Sequence, residues 1–328
     1  MSDLQLKLDA LSLSVHAGAQ TTTHTGKKQI KTPKPFLKWV GGKQKILNTL
    51  LTLFPSKINN YYEPFVGGGS VLFGLLEYCK QGKITITGQI YACDSNVDLI
   101  KMYCNIQTHY NELCKILCQI IEDFNLCTGT IINRHPTTLD EAKTSRESYY
   151  YWLRQKYNSG CDKTSVEASA LFIFINKTCF RGVHRVGPNG FNVPYGHYHN
   201  PAIFDKSIFD YIYELIQGVN FICQDYTDTL KCACPNDFVY LDPPYVPESQ
   251  TSFVGYNANG FVEHTNLFKL LHELTTKNIK FILSNSAVQI VLNEFLKDEY
   301  TVMSLLCKRA IHSKNPGATA VELVITNF

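Results

Sequence analysis

The chain has 328 residues, 45% hydrophobic and 18% charged, with a formal net charge of +3. That is a globular composition, long enough for a large core or two domains, and mildly basic enough to permit a polyanionic partner without requiring one. No apolar run is long enough to span a bilayer, and the opening MSDLQLKLDALSLSVHAG lacks the basic start and apolar core of a secretory signal, so a cytoplasmic protein is expected.

Residues 1–33 show no periodicity and read as a flexible basic arm, with Lys27, Lys28, Lys31 and Lys34 in or beside it. Order begins at Phe36. KQKILNTLLTLF (43–54) has apolar residues at helical spacing and stops before Pro55. YYEPFVGGGS (61–70) is a short strand entering a glycine turn, VLFGLLEYCK (71–80) a helix, GQIYACD (88–94) a strand ending in Asp94, and 96–110 another helix. This is the opening of a Rossmann-like sheet. Residues 101–218 change character, with helical stretches at 110–125, 138–158 and 165–177. The segment RGVHRVGPNGFNVPYGHYHNP (181–201) is too dense in Gly, Pro, Asn and His for a helix, and VGPNGF is turn chemistry between short extended arms. Strand and helix alternate again from Val219, through VNFICQD, DFVYLD and IKFILSN, to a final strand pair near 299–307 and 320–327.

The expected architecture is therefore α/β. A discontinuous catalytic domain (34–100 and 219–328) is interrupted by a mainly helical second domain (101–218) carrying a β-hairpin. Twelve cysteines include no CxxC pair, and the closest spacings, Cys114 with Cys118 and Cys232 with Cys234, lack a matching pair of ligands. No metal site is expected, and the thiols read as reduced and mostly buried.

Two stretches carry chemistry. In FVGGGS, Gly67, Gly68 and Gly69 follow a strand and open a helix, where glycine lets backbone N–H groups approach a ligand. The dinucleotide pattern GxGxxG fails at Leu72 and the P-loop pattern fails too, which disfavours a phosphate cradle and a nicotinamide oxidoreductase. Asp94 at the second strand end is placed to accept from ribose hydroxyls, or else to cap the helix after it. In VYLDPPYVP (239–247), an apolar strand runs into Asp242, Pro243, Pro244 and Tyr245. Prolines lack an N–H and fix φ, so the ladder ends in a stiff turn that holds a carboxylate and an aromatic ring at the sheet edge where ligands bind.

With these stretches and FLKWVGGK (36–43), CDSNVDLI (93–100), NKTCFRGVHR with GFNVPYGHY (176–198) and RAIHSKNPGATAVELVITN (309–327), the chain resembles the Dam-like DNA adenine-N6 methyltransferases of the alpha group, D12 class, in that family's motif order. The resemblance covers nearly everything after residue 35. It implies a Rossmann-like fold dependent on S-adenosylmethionine, with S-adenosylhomocysteine as product and no metal. By resemblance, Trp39 and Lys43 contact the cofactor, Lys43 near its methionine carboxylate. Phe65, Gly67 and Gly69 form its loop, Asp94 its ribose acid, and the strand leading to Asp225 lines its adenine. Asp242, Pro243, Pro244 and Tyr245 match the catalytic motif, with Asp242 also beside the cofactor.

The reaction implied is methyl transfer to N6 of an adenine flipped out of duplex DNA. Adenine N6 is a poor nucleophile because its lone pair is delocalised into the ring. Two acceptors, the Asp242 carboxylate and the Pro243 carbonyl, would hold its hydrogens and aim the lone pair at the methyl group, while Tyr245 stacks on the base. The partner implied is double-stranded DNA, with no membrane and no obligate protein partner. Arg181, His184, Arg185 and Asn189 are the candidate DNA contacts, with base readout expected from at least one arginine. Arg181 stands where some GATC-specific members carry Asn, and the following loop is a residue shorter, so the target sequence is not legible. An RNA adenine methyltransferase and a catalytically silent DNA-binding relative are the alternatives; protein-glutamine methylases usually carry Asn in place of Asp242 and lack the long insertion.

Overall fold

A computed structural model describes residues 32–247, 263–308 and 319–328. The arm lysines Lys27, Lys28 and Lys31, and the first part of the 309–327 motif, lie outside the described residues. The chain runs α1 (Leu47–Thr52), β1 (Lys57–Ile58), β2 (Tyr61–Glu63), α2 (Ser70–Lys80), β3 (Thr85–Ile86), β4 (Ile90–Asp94) and α3 (Val97–Thr108). Next come α4 (Tyr110–Leu126), α5 (Leu139–Ala142), α6 (Arg146–Ser159), α7 (Val166–Thr178) and a short 3-10 turn (Phe180–Gly182). The hairpin β5 (Val186–Gly187) and β6 (Gly190–Phe191) and helix α8 (Lys206–Leu215) follow. The remainder is β7 (Val219–Cys223), α9 (Tyr226–Lys231), β8 (Phe238–Leu241), α10 (His264–Thr276), β9 (Lys280–Ser286), α11 (Gln289–Phe295), β10 (Thr301–Lys308) and β11 (Thr319–Thr326).

Among the described residues, the main sheet has seven strands in the order β10-β11-β9-β8-β2-β4-β7. β9, β8, β2, β4 and β7 are parallel, while β11 and β10 continue antiparallel beyond β9. The sheet grows outward from β2 on one side and from β8 on the other, so the topological switch point lies between them.

Side-chain alternation explains the two-sided core. On β8, Phe238 and Tyr240 face one hydrophobic cluster, and Val239 and Leu241 face the other. The second cluster is covered by α9, α10 and α11 through Leu230, Leu267, Leu271 and Leu292. The first is covered by α1 to α4 and runs on without a break into α6 and α7. Helix α7, ALFIFIN at its centre, is buried on every side, as an all-round apolar helix must be. The helical segment thus shares its core with the sheet, and the boundary expected after residue 100 falls inside α3.

Local chemistry sets the helix starts. Asn96, Ser145, Ser165 and Asp225 each accept a backbone N–H at the first turn of α3, α6, α7 and α9. The helix expected over 138–158 is two helices because Ser145 starts a new one. Helix α8 was not anticipated. Eleven cysteines are described and all are free; only Cys93, Cys127 and Cys179 are buried, against the expectation of mostly buried thiols, while Cys223, Cys232 and Cys234 are exposed. No helix among the described residues is long and apolar enough to cross a membrane.

Candidate active site

The carboxyl ends of β2, β4, β7 and β8 open onto one cleft of about 520 Å³ at the switch point. Its floor is the glycine turn between β2 and α2. Gly67 and Gly69 have φ of +47° and +74°, a region open chiefly to glycine. A Cβ on Gly68 would lie 2.8 Å from the Cβ of Trp39, and one on Gly67 would lie 2.9 Å from its indole ring. The loop is bare because Trp39 packs directly on its backbone.

Trp39 is held from the helical segment. Asn176 in α7 accepts from the Lys38 N–H (2.9 Å) and donates to the Lys38 carbonyl (2.8 Å), while Lys177 Nζ donates to the Phe36 carbonyl (2.8 Å). The NKT motif therefore anchors the strap that carries Trp39. The ring of His184 stacks on Trp39 at 5.5 Å between centroids and also lines the cleft. Burial lowers the His184 pKa, which favours a neutral imidazole.

Asp94 at the end of β4 braces the glycine turn. One carboxylate oxygen accepts from the Gly67 N–H (3.1 Å), the other from the Asn96 N–H (2.9 Å). Asn96 itself caps α3, which removes capping as the role of Asp94. Burial pushes the Asp94 carboxyl up to about 6 against these donors. At the far rim, Phe65 stacks on Tyr226 at 5.5 Å, and Asp225 caps α9 by accepting from the Thr227 N–H (2.8 Å).

The catalytic-motif residues Asp242 to Tyr245 form the opposite wall. Asp242 meets Lys43, whose Nζ lies 2.7 Å from each carboxylate oxygen. Lys43 is 4% exposed and also donates to the Gly41 carbonyl (2.9 Å). The ammonium is turned onto Asp242, 199 residues away in the chain. Glu322 on β11 lies 3.6 Å from the same Nζ. Burial raises the Asp242 carboxyl to about 6, Lys43 opposing and Glu322 assisting. Glu63 at the end of β2 also lines the cleft; it is 2% exposed and accepts from the Tyr61 hydroxyl (2.7 Å). Burial pushes its carboxyl up to about 8. The segment after the prolines is fixed to β9: Asn285 Oδ1 accepts from the Val246 N–H (3.1 Å), and the Ser286 hydroxyl donates to the Val246 carbonyl (2.6 Å).

A glycine turn, a strand-end acid and a rigid Asp-Pro-Pro-Tyr turn thus face one cleft. The profile of the D12 class N6 adenine-specific DNA methyltransferases matches residues 39–312. The chain belongs to this family. It is 34% identical over 309 residues, 90% of this chain and 99% of the other, to the type II methyltransferase M.MjaIII of Methanocaldococcus jannaschii. It is 31% identical to the type II methyltransferase M1.LlaDCHI of Lactococcus lactis subsp. cremoris, across 90% of this chain and 95% of the other. The DNA adenine methylase of Escherichia coli K12 is 26% identical, across 91% of this chain and 96% of its own length.

On this adenine methyltransferase, the four candidate DNA contacts do not share one environment. Arg181, Arg185 and Asn189 are exposed. Arg181 sits in the 3-10 turn at φ +56°, with its guanidinium 5.2 Å from the ring centre of exposed Phe180. That left-handed backbone suits Asn better than Arg. Arg185 leads into the hairpin and bonds Asn192 Oδ1 (2.6 Å), while Asn189 is at its tip. His184, expected with them, is turned inward against Trp39 and Phe172. Arg181 lies in the turn ahead of the hairpin strands, and Arg185 directly before β5.

Sequence reasoning missed Glu63, Glu322, Asn176 and the Asn285–Ser286 clamp as parts of the site. Glu63 left a signal, an acid inside the buried strand YYE. Glu322 left the same signal in TAVELVIT.

Proposed function

We propose that this enzyme transfers the methyl group of S-adenosylmethionine to N6 of an adenine extruded from duplex DNA, with site-specific targeting and without a metal. The observation that carries the reading is Asp242, held rigidly at a strand end in the same cleft as Asp94 and the glycine turn. The cleft fits the cofactor: Trp39 packs where glycine side chains would be, Asp94 offers an acid to ribose hydroxyls, and His184 Nε2 is buried in the wall without a hydrogen-bond partner among the described residues. Phe65, Gly67 and Asp225 complete its surroundings, and Gly69 shapes the turn from behind, facing Phe73 and Tyr103. Bound S-adenosylmethionine supplies an electrophilic methyl group on a sulfonium leaving group.

The chain's own residues do the rest. Asp242 and the Pro243 carbonyl accept the two N6 hydrogens, which favours a pyramidal nitrogen with its lone pair directed outward. Pro243 and Pro244 keep that presentation rigid, and Tyr245, its ring 5.0 Å from Lys43 Nζ, gives the base a face to stack on. Asp242 has no need to remove a proton before transfer, because N6 becomes acidic only once methylated. The exposed Arg181, Arg185 and Asn189 are the proposed DNA contacts, and the cytoplasm is the proposed site of action. Incubating the protein with labelled S-adenosylmethionine and either duplex DNA or RNA tests this. N6-methyladenine in the digested DNA is expected. Label found only in RNA, or cofactor binding with no transfer, would overturn it.

A further inference from the structure

We infer that Glu322 is a positioning residue for methyl transfer: it takes over the Lys43 ammonium when the adenine amino group claims an oxygen of Asp242. This rests on the reading of Asp242 as an N6–H acceptor.

The geometry raises a conflict that something must resolve. Both Asp242 oxygens lie 2.7 Å from Lys43 Nζ, so the acceptor the base needs is already engaged by a cation. Lys43 is 4% exposed, so water offers it little when a base displaces it. Glu322 Oε1 lies 3.6 Å from Nζ, within ion-pair range but beyond a hydrogen bond. Moving the ammonium by about 0.8 Å closes that gap to a charge-assisted bond and loosens its hold on Asp242. The Gly41 carbonyl, 2.9 Å from Nζ, acts as the pivot. Glu322 is itself well placed. It pairs across the sheet with Ser286, the residue whose hydroxyl holds Val246 beside the catalytic turn.

Charge gives the second argument. Lys43 and Asp242 together are neutral, and Glu63, pushed up to about 8, is mostly protonated at neutral pH. Glu322 is then the second carboxylate within ion-pair range of the one ammonium. When the C–S bond breaks and the C–N bond forms, sulfur keeps its electron pair and N6 becomes cationic until a proton leaves to Asp242 or water. An ammonium still held on Asp242 beside that nitrogen opposes the step. An ammonium paired with Glu322, with Asp242 freed, favours it.

Glu322→Gln keeps the shape and removes the charge. The single-turnover methyl-transfer rate should fall by roughly tenfold or more, the loss appearing in kcat. Dissociation constants for S-adenosylmethionine and duplex DNA should stay within about twofold, a change worth only ~0.4 kcal/mol. Extrusion of 2-aminopurine at the target position, read by fluorescence, should also be unchanged, because that base has no 6-amino group to compete with Lys43. In a double-mutant cycle, Glu322→Gln should add little to Lys43→Gln. A wild-type rate, a loss lying in cofactor binding or extrusion, or full additivity with Lys43→Gln overturns the inference. If Glu322→Gln does not fold, Glu322→Asp, with the charge retracted by one methylene, carries the test. A reduced rate coupled to Lys43 supports the inference, and a wild-type rate overturns it. Asp242→Asn separates the two levels: if that variant stays active, the Asp242 reading has failed, whatever Glu322 does.

Discussion

Replacing Glu63 by Gln should make the protein more stable at pH 8 and leave it little changed at pH 5. Glu63 is 2% exposed, and burial raises its carboxyl from an ordinary 4.5 to about 8, with the Tyr61 hydroxyl opposing the shift. Between those values the unfolded chain has lost this proton and the folded chain keeps it. The folded state then binds more protons, so stability falls as pH rises through that window and levels off above about 8. A shift of about 3.5 units at 1.36 kcal/mol per unit sets an upper limit of about 5 kcal/mol. Gln carries no charge at any of these pH values, and the Tyr61 hydroxyl can turn to accept from its amide. Urea unfolding of both proteins at pH 5, 6, 7 and 8 isolates the effect, because titrating groups not coupled to Glu63 cancel in the difference. The variant should gain on wild type steadily across the range, by at least about 1–2 kcal/mol at pH 8. Parallel stability curves from pH 5 to 8 would refute the reasoning. They would mean that Glu63 ionises freely in the folded state and that the charge balance assigned to the Lys43 cluster is wrong.

Asp242→Ala should abolish methyl transfer in a folded protein; turnover within about tenfold of wild type would leave Asp242 only ~1.4 kcal/mol of the barrier, too little for its role. In the wild type, transfer should fall as pH drops below about 6, where Asp242 takes up a proton, with a midpoint belonging to the coupled group of Lys43, Asp242 and Glu322; a flat rate from pH 5 to 7.5 would count against it. Asp94→Ala should weaken S-adenosylmethionine binding by about 1–3 kcal/mol, since the ribose loses its acceptor and the Gly67 N–H its brace; unchanged affinity by calorimetry would confine Asp94 to holding the turn. Changing Arg181 and Arg185 to Ala one at a time should separate base readout, a loss of about 1–3 kcal/mol of preference at one position, from phosphate binding, a uniform weakening with a lower salt slope; if both variants keep the wild-type ranking of sites, specificity lies elsewhere.

What the sequence showed and what it hid divide along a physical line. The strand ending in Asp242, the glycine turn after β2 and the cap at Asn96 are set by neighbours within a few residues, and each was legible or nearly so. Lys43 and Asp242 are 199 residues apart, and Lys38 and Asn176 are 138 apart. No local pattern reports that a lysine in a glycine-rich strap will lie on Asp242, or that an Asn in a helix will bond both backbone groups of one residue in that strap. The boundary expected after residue 100 rests on a local pattern of the same kind. A composition change marks where helices begin, but the core that joins α3, α6 and α7 to the sheet face is one apolar mass, so α3 runs through residue 100 without interruption. That shared core has a consequence for the site. Asn176 and Lys177, at the end of α7, hold the strap; the strap holds Trp39; and Trp39 packs between the bare glycine turn and His184. His184 in turn lies between exposed Arg181 and Arg185 in the chain. The wall of the cleft and the segment proposed to meet DNA are therefore one continuous piece of structure, and a change in the backbone of 181–185 reaches Trp39 through His184.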